Sequence, residues 1–314
     1  MLQYLIVLLD DTSISFCHYE NERVDKNLIA LSDLEKVILF SLKRNLTLQF
    51  IYPDYVLPQE YNALIETVPH GNIVSSNAIE KGSSDVVVIN DWKELQHVPF
   101  DKTTIYVWRT SKDDFFNHCN LVVAVLEKVI RLNIIITDFE TFDEKDFDDY
   151  QKALSMLSDY IEKLYLEKRR PQLNLLTDRM ILGKMNNCNA GCESITLAPN
   201  GKFYVCPAFY YRNVFSLGDL EHGLEIKNSQ LYRIDHAPLC RNCDAYQCRR
   251  CIWLNYKTTK EVNIPSREQC VVAHLERNMS KKLLENIHGY GIFLPSQEIK
   301  EIDYLDPFDV RKEW

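Results

Sequence analysis

The sequence predicts an α/β protein: a partial (β/α)6 barrel over residues 1–182, a small Cys-rich domain with a β-hairpin and helices over 183–275, and a helix end and tail over 276–314. Three observations lead there. Six short apolar or β-branched runs alternate with helical patterns, and no Gly-rich phosphate-binding turn follows any of them. After residue 182 the alternation stops, and glycine, asparagine and cysteine gather in "GKMNNCNAGCESITLAPNGKFYVCPAF". A row of βα units implies a parallel sheet covered by helices, and without a nucleotide-binding fingerprint a partly closed barrel is the expected form.

The expected strands are Tyr4–Leu9, Leu46–Tyr52, Val86–Asn90, Thr104–Trp108, Ile134–Thr137 and Leu173–Leu176. Between them the pattern predicts helices over Leu31–Arg44, with Ser32 and Glu35 as a capping box, and over Gln59–Val68, Asp113–Arg131 and Asp143–Arg169. Beyond the boundary, "SITLAPNGKFYVCP" reads as a hairpin about a Pro-Asn-Gly turn, with Ile195 and Leu197 facing Phe203 and Val205. A helix is expected from Val271 to Ile287, followed by an acidic, aromatic tail ending at Trp314.

Strand ends are where such barrels do chemistry. Asp10, Asp11, Asp54, Asn90, Asp91, Arg109, Asp138 and Glu140 stand there. Asp and Asn also follow strands simply to cap the next helix. Beyond capping, an acidic mouth would suit a peptide or cationic substrate.

Composition narrows the function. Hydrophobic residues make up 46% and charged residues 26%, and no apolar run approaches the roughly 18 residues of a membrane span. Met1 leads into five apolar residues and then Asp10 and Asp11, which is not a secretory signal, so a cytoplasmic protein is expected. A net charge of −9 without a dense basic run excludes nucleic acid as a main partner.

Ten cysteines occur, and eight of them fall between residues 188 and 270. Their spacing is C-x3-C-x13-C, a gap of 33, C-x2-C-x4-C-x2-C, then x18-C. Disulfides fit a cytoplasmic chain of this size poorly. Zinc ribbons place a dozen or more residues between their C-x2-C knuckles, whereas four stand here, although zinc shared with the outer cysteines stays open. Iron–sulfur clusters take four thiolates each, so eight cysteines suit two 4Fe-4S clusters with none left over.

The phrases "LAPNGKFYVCPAF" and "FSLGDLEHGLE", with Cys188, Cys206, a four-cysteine run and Cys270, resemble the SPASM domain, the auxiliary iron–sulfur domain of radical S-adenosylmethionine peptide-modifying enzymes. That resemblance implies one cluster on Cys188, Cys192, Cys206 and Cys251, and another on Cys240, Cys243, Cys248 and Cys270. The run here is tighter than the family's usual C-x2-C-x5-C-x3-C, which leaves the sharing of Cys248 and Cys251 between the clusters open. The barrel in turn resembles a degenerate radical S-adenosylmethionine barrel. Its first loop, "DDTSISFCHYEN", keeps Cys17 of a C-x3-C-x2-C motif but has Asp10 and Ile14 at the other two positions, and "YPDYVLPQE" stands where Gly-Gly-Glu would hold the cofactor. S-adenosylmethionine is therefore not expected as a cofactor.

The whole chain is similar to the CXXX repeat peptide maturases. This similarity implies a Cys-rich precursor peptide as partner, together with a separate modifying enzyme or electron donor; the alternative is a non-catalytic peptide-binding scaffold with structural iron–sulfur or zinc sites. No catalytic residue is assigned. Cys17 reads as a loop thiol or a remnant ligand, and Cys119 as a core thiol. His236 and His274 lie near cluster cysteines in the sequence but receive no role, because eight cysteines already suffice.

Overall fold

Short β-branched runs set the strands, and periodic apolar positions set the helices between them. In the computed structural model, which describes residues 2–78, 84–181, 189–241, 243, 245, 251–291, 294 and 299, the chain begins β1 (Tyr4–Leu8), α1 (Leu31–Arg44), β2 (Thr47–Ile51), α2 (Gln59–Ile65), β3 (His70–Ser75) and β4 (Val86–Ile89). It continues β5 (Ile105–Thr110), α3 (Lys112–Leu126), β6 (Arg131–Ile136), α4 (Glu144–Leu166), β7 (Gln172–Leu173) and α5 (Asp178–Ile181). Then come β8 (Ser194–Leu197), β9 (Phe203–Tyr204), α6 (Pro207–Tyr211), β10 (Gly218–Asp219), β11 (Gly223–Leu224), α7 (Ile252–Thr259) and α8 (Arg267–Gly289). The class is mixed α/β with mostly parallel strands. The boundary expected at 182 and the acidic tail lie outside the described residues.

Contacts group the chain into two units: Met1–Val88 with Cys188–Arg233, and Ile89–Asn187 with Ile234–Trp314. In the first, β1 pairs parallel with β2 on one side and with β8 on the other, and β2 pairs parallel with β3. Leu5, Val7 and Leu8 on β1 are fully buried, as strands covered on both faces require. β8 and β9 form the expected hairpin, with Thr196 opposite Tyr204 and Leu197 opposite Phe203. Gly201 in its turn has φ +74°, a conformation that favours glycine.

In the second unit β5, β6 and β7 run parallel, and α8 packs along α4. A capping box, Ser266 with Gln269, starts α8, and another, Asp143 with Asp146, starts α4. A buried pair joins α5 to α8, Arg179 Nη2 to Glu276 Oε2 at 3.0 Å, and the Tyr150 hydroxyl on α4 donates to Glu276 Oε1 at 2.7 Å.

Several expectations are corrected. β3 was missed, because "HGNIVS" opens on polar and small residues and only Ile73, Val74 and Ser75 are buried. No side chain caps α1: Ala30 holds the N-cap position and Ser32 falls inside the helix, since Ile29 N–H is already committed to Leu9 O at 2.8 Å. The helix expected to reach Arg131 ends at Leu126, and Arg131 starts β6 with its guanidinium on both oxygens of Asp178 at 2.9 Å. The strand expected to reach Leu176 stops at Leu173, where the Asn174 side chain takes over: it donates to Ile134 O and accepts from Ile134 N–H, both at 2.7 Å.

Candidate metal centre

Two sets of residues bear on the expected iron chemistry: the loop after β1 in the first unit, and the cysteines between residues 188 and 270, which both units contribute. The loop is closed by its own hydrogen bonds. Asp10 Oδ1 accepts from the N–H and hydroxyl of Thr12 at 2.8 and 2.6 Å, Ser13 Oγ donates to Ile51 O at 2.8 Å, and Asn21 Nδ2 donates to the carbonyls of Asp11 and Ser13 at 2.8 and 2.9 Å. Ile14, at a position where the resemblance expects a thiolate, is buried; its N–H donates to Tyr52 O, and its carbonyl accepts from the Tyr19 hydroxyl.

Aromatic residues complete that packing. Tyr211 stacks on Tyr19 with centroids 5.5 Å apart and donates to Ser13 O at 3.2 Å. The Arg23 guanidinium lies 4.1 Å above the Tyr210 ring and 3.1 Å from Asp11, which also accepts from the Tyr210 hydroxyl. Burial, with the Asp11 contact second, pushes the Tyr210 phenol up, and burial does the same to Tyr211. A cluster that binds S-adenosylmethionine needs three thiolates and an open iron; residues 10–17 supply Cys17 alone, with buried Asp10 and Ile14 at the other two positions. These residues do not fit that group.

The other strand-end residues are explained locally. Asp91 caps a turn at Trp92–Gln96 together with Glu94, and Arg109 donates to Asn90 at 2.8 Å. Asp138 accepts from Lys112 N–H at 2.9 Å, with burial raising its pKa, and Glu140 pairs with Lys257. Asp54 is exposed. Cys119 is half-buried on α3 with its thiol directed to Phe116 O, and burial raises its pKa, as a core thiol requires.

Of the eight predicted ligands, Cys188 and Cys248 lie outside the described residues. In the first unit, Cys192 sits in a tight turn closed by its N–H on Asn189 O at 2.9 Å. Gly191 before it has φ +78°, and a Cβ there would meet the Tyr232 ring at 2.6 Å, so the turn demands glycine. Cys206 holds the N-cap position of α6 ahead of Pro207.

In the second unit, Cys251 precedes α7 and Cys270 lies in the opening turns of α8. Cys240 is buried, and its carbonyl accepts from Cys243 N–H at 3.2 Å, a turn that brings the two residues together. The Cys243 sulfur accepts from Ala245 N–H at 3.3 Å and lies 3.3 Å from His274 Nε2. Backbone and imidazole donors around a cysteine sulfur are the surroundings an iron–sulfur ligand uses, so this donor set fits a cluster in kind. Among the described residues, no three His, Cys, Asp or Glu side chains gather closely enough to hold a single ion. The contact at His274 was missed in the sequence, although its spacing of four from Cys270 on one helix face is a signal for it.

No protein-family model matches the chain, and a comparison with curated proteins finds no match. Solved structures do match in fold. The chain is similar to native anSMEcpe with bound AdoMet and Kp18Cys peptide, at 14% identity and a TM-score of 0.64, covering 91% of this chain and 99% of that one. Native anSMEcpe with bound AdoMet alone matches at 12% identity and a TM-score of 0.62, covering 91% and 99%. Streptococcus suis SuiB bound to S-adenosylmethionine matches at 12% and 0.50, covering 86% and 75%. Among the described residues, no helix is long and apolar enough to cross a membrane.

Proposed function

We propose that this chain is a component of a ribosomal-peptide modification system that binds a Cys-rich, CXXX-repeat precursor peptide and carries two 4Fe-4S clusters, without performing the S-adenosylmethionine radical step itself. The likeness in fold to anSMEcpe with a bound peptide supports peptide binding. The observation that carries the reading is the contrast between a β1 loop with one cysteine, whose donors point to its own carbonyls, and a Cys243 sulfur that accepts from Ala245 N–H and lies 3.3 Å from His274 Nε2.

On this reading the eight cysteines between residues 188 and 270 are the ligands of the two clusters, with Cys240, Cys243 and Cys270 serving the same one. Clusters of this kind, complete with four cysteine ligands each, supply electron transfer. The protein's own part is to orient the ligands: the Gly191 turn presents Cys192, the Cys240–Cys243 turn presents both of its sulfurs, and α8 carries Cys270.

Anaerobic purification tests the reading. About eight irons and eight sulfides per chain are expected, four of each per cluster. Stoichiometric zinc without sulfide would overturn the clusters, and release of 5′-deoxyadenosine from S-adenosylmethionine would overturn the missing radical step. Calorimetry with a synthetic CXXX-repeat peptide should give saturable binding.

A second reading, a scaffold whose clusters serve only as staples, is favoured by the anchoring of α8 through buried Glu276. Structural metal supplies folding energy directly. Removing iron by chelation should then unfold the chain, whereas an electron-transfer role predicts reversible reduction of a folded protein.

A further inference from the structure

The imidazole beside Cys243 is the feature that neither the cysteine pattern nor the fold accounts for. His274 is 2% exposed, and burying a polar ring costs free energy unless its nitrogens are engaged. Its Nε2 lies 3.3 Å from Cys243 Sγ, the same distance as the Ala245 N–H donor on that sulfur. The ring is held there by the helix: two residues further along α8, Glu276 is fixed by Arg179 and Tyr150, and one turn earlier stands Cys270.

We propose that His274 donates a hydrogen bond from Nε2–H to the Cys243 thiolate, and that it is a positioning residue setting the reduction potential of the cluster that Cys240, Cys243 and Cys270 share. The inference rests on the two-cluster reading above. A metal-bound thiolate carries no proton, so the nitrogen facing it must be the protonated one. Donation to a ligand sulfur draws charge away from the iron and stabilises the reduced cluster, which raises its potential. Four thiolates already complete the cluster, so the imidazole has no vacant iron to bind. Ala245 contributes its backbone N–H whatever its side chain, which leaves His274 as the donor that substitution can remove.

The test uses the full chain, purified anaerobically, with iron and sulfide measured first. Wild-type protein holding zinc in place of iron overturns the cluster reading and this inference with it. With about eight irons present, a potentiometric titration followed by electron paramagnetic resonance should resolve two clusters. His274→Ala should move one midpoint to lower potential and leave the other in place, with iron content unchanged. His274→Gln, which keeps an N–H near the Nε2 position, should recover most of that shift. Should the alanine variant not fold, His274→Met fills the space without a donor and is read on the same titration, with the same lowered midpoint expected. Unchanged midpoints in a fully loaded alanine or methionine variant would make His274 a packing residue and overturn the proposal alone. Loss of about half the iron in both the alanine and glutamine variants would make it a ligand instead, and also overturn it.

Discussion

The loop after β1 and the turn at Cys240–Cys243 are both places where the family resemblance expects thiolates around iron, and they treat their polar groups in opposite ways. In the loop, Thr12, Asn21, Tyr19 and Tyr211 direct their donors to oxygens of the loop itself. At Cys243 the Ala245 N–H donates to sulfur and His274 Nε2 lies 3.3 Å from it. On the proposed reading the first arrangement is a site that has lost its ligands and the second one that keeps them, and the direction in which neighbouring donors point distinguishes the two.

The largest test of this contrast is Cys243→Ala. It should remove about four of about eight irons and lower the denaturation midpoint, because metal binding and folding are coupled; iron analysis and urea titration measure both. Next comes Glu276→Gln, which leaves Arg179 buried without its charge partner. Breaking such a pair costs about 3–5 kcal/mol, and chemical denaturation should show that loss. Gly191→Ala forces a Cβ into the Tyr232 ring at a left-handed position, so it should cost about 1–3 kcal/mol and release iron from the cluster assigned to Cys192.

On the closed side of the comparison, Tyr211→Phe removes the donor to Ser13 O and should cost about 1 kcal/mol, with iron content unaffected. The smallest effect is a pH dependence at Asp138. Burial raises its pKa in the folded state, so its contribution to stability is fully present below the ordinary carboxylate range and declines as pH rises through the raised value. Asp138→Asn should therefore be slightly more stable than wild type near pH 7 and lose that advantage in acid, which parallel urea titrations at two pH values would reveal.

Much of this was legible in the sequence. Five of the six expected strands coincide with observed ones within a few residues, and the sixth survives as Gln172–Leu173, because compact β-branched runs between polar stretches have few other uses. α1 has the expected bounds, yet the capping box did not form: backbone pairing of Ile29 with Leu9 fixed where the helix begins, a non-local constraint that Ser32 and Glu35 cannot reveal. The helical pattern reads as far as Arg131, whose place in a strand goes with its pairing to Asp178, which only the fold brings near. In the candidate centre the cysteine pattern stands out in the sequence and the imidazole does not: eight cysteines leave no apparent need for it, and its contact with Cys243 spans two segments 31 residues apart.

The pairing of β1 with β8 reaches further than the sheet. Tyr4 lies beside Ser194, so the first strand made at the ribosome waits for a partner synthesised only after all the other parallel strands. Such long sequence separation slows folding and leaves the edge of an early strand open to wrong neighbours. A fragment ending at residue 182 would expose the apolar β1 edge permanently and should aggregate when expressed alone. The pairing of β1 is therefore completed only when the segment that carries β8 has been made.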